Sequence, residues 1–249
     1  MDAEPARPLS RVARTLLALL AVASFAGLMF LGIWQLHRLS WKLDLIARTE
    51  RMLAAAPVAA PGPADWPRIA PADAYRRVRV EGEFRHDLEA CTQAVTERGP
   101  GCWVVTPLHT SDGWWLLVNR GFVEMQKRDA TTRAEGQVAG SVSVEGLLRL
   151  TEPKGGFLRH NDLANNRWYS RDVAAIAAAR GLPAREVAPY FVDAAATIEG
   201  GPIGGLTVVR FHNSHLVYAL TWFGLALMVP FGAALVIRRE RSLRQDSRA

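Results

Sequence analysis

Six histidines are the side chains best suited to chemistry near neutral pH in this chain of 249 residues, because imidazole is the commonest ligand for metals and haem iron. His86, His109 and His160 have no partner at i+2 or i+4 and no H-E-x-x-H context, so they read as surface or structural residues. His215 stands apart because it begins a strongly apolar run. An ionisable ring there is costly and more often faces a partner, a cavity or a cofactor than lipid, the alternative being a ring wetted at a membrane interface. His37 closes the other apolar run, which makes a bis-histidine haem site stereochemically feasible. A single imidazole with an exchangeable position suits a carrier better, since a carrier must release its cargo.

Other chemistry is poorly represented. The chain has no C-x-x-C, C-x-x-C-H or C-x-x-x-C spacing, which excludes covalent c-type haem attachment and the usual paired-cysteine zinc, redox and copper sites. Cys91 and Cys102 flank an expected hairpin turn at E-R-G-P-G (97–101). Cys91 falls several residues farther from that turn, too far for the roughly 4.4–6.8 Å Cα separation of a disulfide, so two unpaired buried thiols are expected. The glycines of G-G-P-I-G-G (200–205) match neither a phosphate loop nor a dinucleotide fingerprint, and no nucleophile elbow or carboxylate pair is visible, so an enzyme is not expected.

The elements that carry these residues follow from hydropathy. Thr15–Leu36 and Phe211–Ile237 are uncharged runs of 22 and 27 residues, each long enough to cross a hydrocarbon core of about 30 Å as a helix. The net charge of +6 lies mostly at the ends, +1 before the first run and +3 after the second, leaving +2 between them. That distribution fits membrane topology rather than nucleic acid. Arg238, Arg239, Arg241, Arg244 and Arg248 follow the second run, so both termini are placed in the cytoplasm and the middle of the chain across the membrane. The expected organisation is an N-terminus (1–14), a first transmembrane helix (15–36), an amphipathic extension and proline-rich linker (37–71), an extracytoplasmic α+β domain (72–213), a second transmembrane helix (214–237) and a basic tail (238–249).

Within the middle domain, Val78–Phe84 alternates apolar and charged residues, the period of a half-buried strand. Cys102–Leu108, Gly113–Val123, Ser141–Leu150 and Tyr190–Asp193 are further strand candidates, and V-R-V-E-G (78–82) resembles V-S-V-E-G (142–146). Together they predict a mainly antiparallel sheet or barrel with one short helix, capped by Ser170 and stopped by Gly181 and Pro183.

L-G-I-W-Q-L-H-R-L-S-W-K (31–42) resembles the L-G-x-W-Q-x-x-R-x-x-W-K signature of the surfeit locus protein 1 family, and N-S-H-L-V-Y-A-L-T-W-F (213–223) resembles its N-N-H-L-x-Y-A-x-T-W-F signature. V-E-G-E-F (80–84), T-P-L (106–108), L-V-N-R-G-F-V (117–123), N-R-W-Y (166–169) and G-P-I-G-G (201–205) extend the likeness in order along the chain. The resemblance implies a membrane protein that assists assembly of haem-copper cytochrome c oxidase, with His215 implicated in binding haem a. It also carries over Trp34, Gln35, Arg38, Trp41, Lys42, Asn213, Tyr218 and Trp222 as signature positions without fixed roles, while Ser214 departs from the family's asparagine and His37 falls on a variable position. Trp34, Trp41 and Trp222 suit an aromatic belt or the flanks of a porphyrin, and Arg38 or Arg210 could pair with its propionates. The implied partners are the bilayer, the oxidase catalytic subunit and a haem a synthase. The short stretch before the first run favours a bacterial inner membrane over a mitochondrial one. The competing reading is a membrane scaffold that docks the nascent subunit without holding a cofactor.

Overall fold

The computed structural model describes residues 9–153, 159–163, 165–207 and 213–246. The chain divides into two compact units, one of residues 1–48 with 210–249 and the other of residues 49–209. The first is built on α1 (Arg11–Ala54) and α3 (His215–Asp246), both long and apolar enough to cross a membrane. Ser10 caps α1, its Oγ accepting from the Ala13 amide at 3.2 Å, and Asn213 caps α3, its Oδ1 accepting from the His215 amide at 3.3 Å. Helical periodicity past Leu36 carries α1 on without a break through Leu39, Leu43, Ile46 and Leu53.

α1 and α3 run antiparallel: Gln35 meets His215 at one end and the Leu9 amide meets Glu240 at the other. Small residues let them close, with Ala219 and Ala226 fully buried. Gly32 lies directly under the Phe223 ring, and a Cβ there would sit 2.4 Å from a ring carbon. Pro230 is accommodated inside α3.

The second unit is a barrel-like sheet. β1 (Val58–Ala59), β2 (Arg77–Phe84), β3 (Ala90–Thr96), β4 (Gly99–Thr110), β5 (Trp115–Glu124), β6 (Ser141–Leu150) and β7 (Val187–Ala194) lie in the order β1-β2-β6-β7-β5-β4-β3, and an added β2–β4 pairing closes the ring. All pairings are antiparallel except β1–β2 and β5–β7. The alternation read from 78–84 points Val78, Val80 and Phe84 inward, where Leu116, Leu148 and Tyr190 join them. The two similar pentapeptides are partners in one ladder, Val80 opposite Val144, Val78 opposite Gly146 and Gly82 opposite Val142, so a local two-fold relates them. β5 is buried on both faces because α2 (Val173–Ala179) covers the barrel's outside with Val173, Ile176 and Ala177 against Leu117, Phe191 and Trp168.

Three expectations need correction. Cys91 and Cys102 form a disulfide, with Cα atoms 5.5 Å apart. The turn is the two residues Glu97–Arg98, so Cys102 faces Gln93 and Cys91 faces Val104; the pair is a diagonal neighbour across the ladder, well within bridging reach. The short helix is capped by Asp172, whose carboxylate accepts from the Ala175 amide at 3.1 Å, while the Ser170 hydroxyl is held by Asn161. The proline-rich stretch 57–71 packs on the sheet: β1 pairs with β2, Trp66 meets Trp114 edge-on at 5.8 Å, and the buried Tyr190 hydroxyl donates to the Pro61 carbonyl at 2.8 Å.

The bridge closes a short loop, so replacing both cysteines with serine should cost about 2–3 kcal/mol of stability. Denaturant unfolding of the full chain in detergent measures that loss. Alkylation should label neither sulfur before reduction and both after it; two reactive thiols without reductant would contradict the bridge.

Candidate functional site

The first family-like signature and the second meet at one point. His215 Nδ1 lies 2.8 Å from Gln35 Oε1. An amide oxygen can only accept, so Nδ1 is the donor in this contact and Nε2 is the ring nitrogen with no partner among the described residues. The ring is half-buried and its orientation is set twice, by the cap at Asn213 that starts the helix and by Gln35 across the pair. This is the arrangement by which a histidine ligand is usually held, one nitrogen tied to an oxygen acceptor and the other free for a metal.

The remaining signature positions surround this contact unevenly. Trp222 follows His215 by seven residues, two turns along the same face, and is half-buried. Trp34 and Trp41 on α1 and Tyr218 on α3 are 47%, 52% and 53% exposed. The Arg38 guanidinium stacks on Trp41 at 4.6 Å, so it is pre-positioned near the boundary of the apolar stretch. Lys42 is half-buried on the same helix. His37 is exposed and two residues from Gln35, about 200° round α1, so the structure does not bring the two imidazoles together. Arg210 lies outside the described residues.

In the sheet unit the sequence missed two buried polar centres, both carried by Asn119 and Arg120 of L-V-N-R-G-F-V. Asn119 donates to Asp193 at 2.7 Å, and the buried Asp193 carboxylate also takes Arg149 at 2.8 Å, Arg171 at 3.2 Å and the Thr207 hydroxyl at 2.8 Å. Arg120 donates to the Gly136 carbonyl and reaches His86 Nδ1 at 3.2 Å, while His86 Nε2 donates to the Val138 carbonyl at 2.9 Å. Burial, with Arg120 adding to it, lowers the His86 pKa below its usual 6.5 despite the carbonyl contact that favours the charged ring. Burial also lowers Arg120 to about 10, against the attraction of Glu89, so it stays cationic at neutral pH. The signal was visible: two polar residues inside an otherwise apolar strand. His109 stacks on Trp115 at 4.6 Å and His160 is exposed.

The same strand explains G-P-I-G-G. Gly121 has φ +132°, and a Cβ on it would meet the Ile203 carbonyl oxygen at 2.1 Å. That approach lets Phe122 and Ile203 exchange two backbone hydrogen bonds of 2.9 Å. The two motifs, more than 80 residues apart, are therefore one junction.

Comparison with known proteins gives a consistent result. The model of the SURF1 family matches residues 22–227. Surfeit locus protein 1 of Homo sapiens is 39% identical over 229 residues, covering 84% of this chain and 72% of its own. The Mus musculus protein of the same name is 41% identical over 213 residues (78% and 67%), and a SURF1-like protein of Monosiga brevicollis is 35% identical over 235 residues (88% and 86%).

His86 yields a pH prediction. Its folded pKa lies below the unfolded 6.5, so the unfolded chain takes up the proton first. The stability from the neutral ring is complete above that value and is lost as pH falls through the folded pKa. Denaturant melts at pH 7.5 and 5.5 should show this loss in the wild type and a smaller one in His86→Gln, which keeps a donor for Val138; equal slopes would contradict the assignment.

Proposed function

This chain belongs to the SURF1 family, and from that premise we propose that it assists assembly of haem-copper cytochrome c oxidase by holding haem a on His215 and passing it to the catalytic subunit. The observation that carries the reading is the Gln35–His215 hydrogen bond, which fixes the ring and frees Nε2. Both residues belong to the stretch that the family model matches.

The two apolar helices cross the membrane with the basic termini on the cytoplasmic side of a bacterial inner membrane and the sheet domain on the other side. The cargo is flat, apolar and anionic at one edge. The exposed rings of Trp34 and Tyr218 and the half-buried Trp222 are of a kind that suits its macrocycle, and Arg38 suits its propionates. When bound, haem iron supplies a Lewis-acidic centre for one imidazole. A neutral ring donating through Nδ1 is the stronger ligand at Nε2, yet one iron–nitrogen bond is easier to exchange than two. His37, on another side of α1, would leave His215 as the one histidine to hold the iron. The sheet domain contributes the docking surface for the catalytic subunit and for the haem a synthase that supplies the cargo, and no bond-making step is asked of this chain.

Visible spectra of protein purified from cells that make haem a test this directly. Haem a bands should accompany the wild type, disappear in His215→Ala and weaken about 10–100-fold in affinity in Gln35→Leu, the usual effect of losing a ligand's supporting hydrogen bond. Unchanged haem content in His215→Ala would overturn the ligand. Wild type without haem that still restores oxidase in deficient cells would favour the cofactor-free scaffold.

A further inference from the structure

A cavity lies in the helix unit, at the opposite end of the pair from His215. Between the first turns of α1 and the last turns of α3 is a cleft of about 700 Å³. That volume falls in the range of roughly 300–1,000 Å³ usual for small-molecule sites. Leu17, Leu20, Ala21, Met228, Val229 and Val236 wall it, and Leu20 and Met228 are 63% and 66% exposed. Its mouth holds Arg14, Arg241 and Arg244 against Glu240. Glu240 is already engaged, by the Leu9 amide at 2.8 Å and by Arg244 at 3.7 Å. Arg14 Nε is buried with no hydrogen-bond partner among the described residues. Apart from Ser24, the lining residues fall outside the stretch matched by the family model, so the cleft is not part of what that match covers.

An apolar slot closed by a ring of net positive charge is complementary to one class of molecule, an amphiphile with a hydrocarbon tail and an anionic head. We propose that this cleft binds one anionic phospholipid, an acyl chain lying between α1 and α3 and the phosphate at Arg14 and Arg241. The proposal rests on the membrane reading given above. Basic pockets between membrane helices on the cytoplasmic side favour such headgroups, because the cations act in a partly dehydrated setting while the tail buries apolar surface. The lipid would also fill space between the two helices that no side chain fills.

Native mass spectrometry of the full chain released from mild detergent, with phosphatidylglycerol or phosphatidylcholine of equal chain length added, tests it. One phosphatidylglycerol should stay bound and phosphatidylcholine should not. Arg14→Gln with Arg241→Gln should lower retention roughly tenfold or more. Arg238→Gln with Arg239→Gln, outside the cleft, should leave it unchanged. Gly232→Phe fills the slot from a position where a Cβ meets nothing within 4 Å, so it should expel the lipid with every arginine in place and the helices still paired. Equal retention of the two lipids, or retention that survives both the arginine and the Gly232 variants, would overturn the proposal. Carbonate extraction of cell membranes keeps the failures apart: protein released by carbonate defeats the membrane reading, whereas protein retained with no bound lipid defeats only the cleft.

Discussion

Phe223 closes over the bare α-carbon of Gly32, and that contact fixes how α1 and α3 lie against each other. Gly32 and Gln35 are three residues apart on one face of α1, so the packing that admits the ring also brings the Gln35 amide to His215. Backbone proximity comes first, and the hydrogen bond that orients the imidazole depends on it. Helices in lipid gain little from mutual apolar burial, so small residues and interhelical hydrogen bonds have to provide the association. Ala219 and Ala226 serve that end and Gln35 with His215 the other, which is why a polar pair can sit in an otherwise apolar signature.

The sheet unit applies the same economy of contact in a different form. Its ring closes through β2 and β4, and β5 is buried on both sides. Polar groups in such a strand need internal partners: Asn119 finds Asp193, and Arg120 reaches His86 and Gly136 through its two terminal nitrogens while its Nε has no partner among the described residues. Gly121, next in sequence, gives up its side chain so that the 201–205 segment can lie on the strand. The glycine motif that matched no phosphate or dinucleotide loop is a structural joint, and the residues beside it on the strand are held by internal contacts.

Much of this was readable from residue order. The two apolar helices, the alternating strand at 78–84 and the placing of the like pentapeptides in one sheet follow from period and composition, because burial on one face leaves a regular trace; that the pentapeptides pair with each other came from the fold. What escaped was set by register and by long-range contact. A hairpin turn placed a residue or two late turned a disulfide into two thiols, since diagonal reach across a twisted ladder is not a matter of counting from the turn. Prolines at 57–71 suggested a linker because they disfavour regular structure, yet Trp66 and Pro61 are packed by residues more than 40 positions away. His215 stood out from its position alone, whereas Gln35 appeared only as a signature letter until the fold set it against the ring.

The account stands on the protonation pattern of one imidazole. Nitrogen-15 spectra of histidine-labelled protein in detergent, with the His215 signals assigned by their loss in His215→Ala, read that pattern directly. A neutral His215 protonated at Nδ1 and bare at Nε2 is the predicted result; a ring protonated at Nε2, its lone pair turned to Gln35, would contradict it.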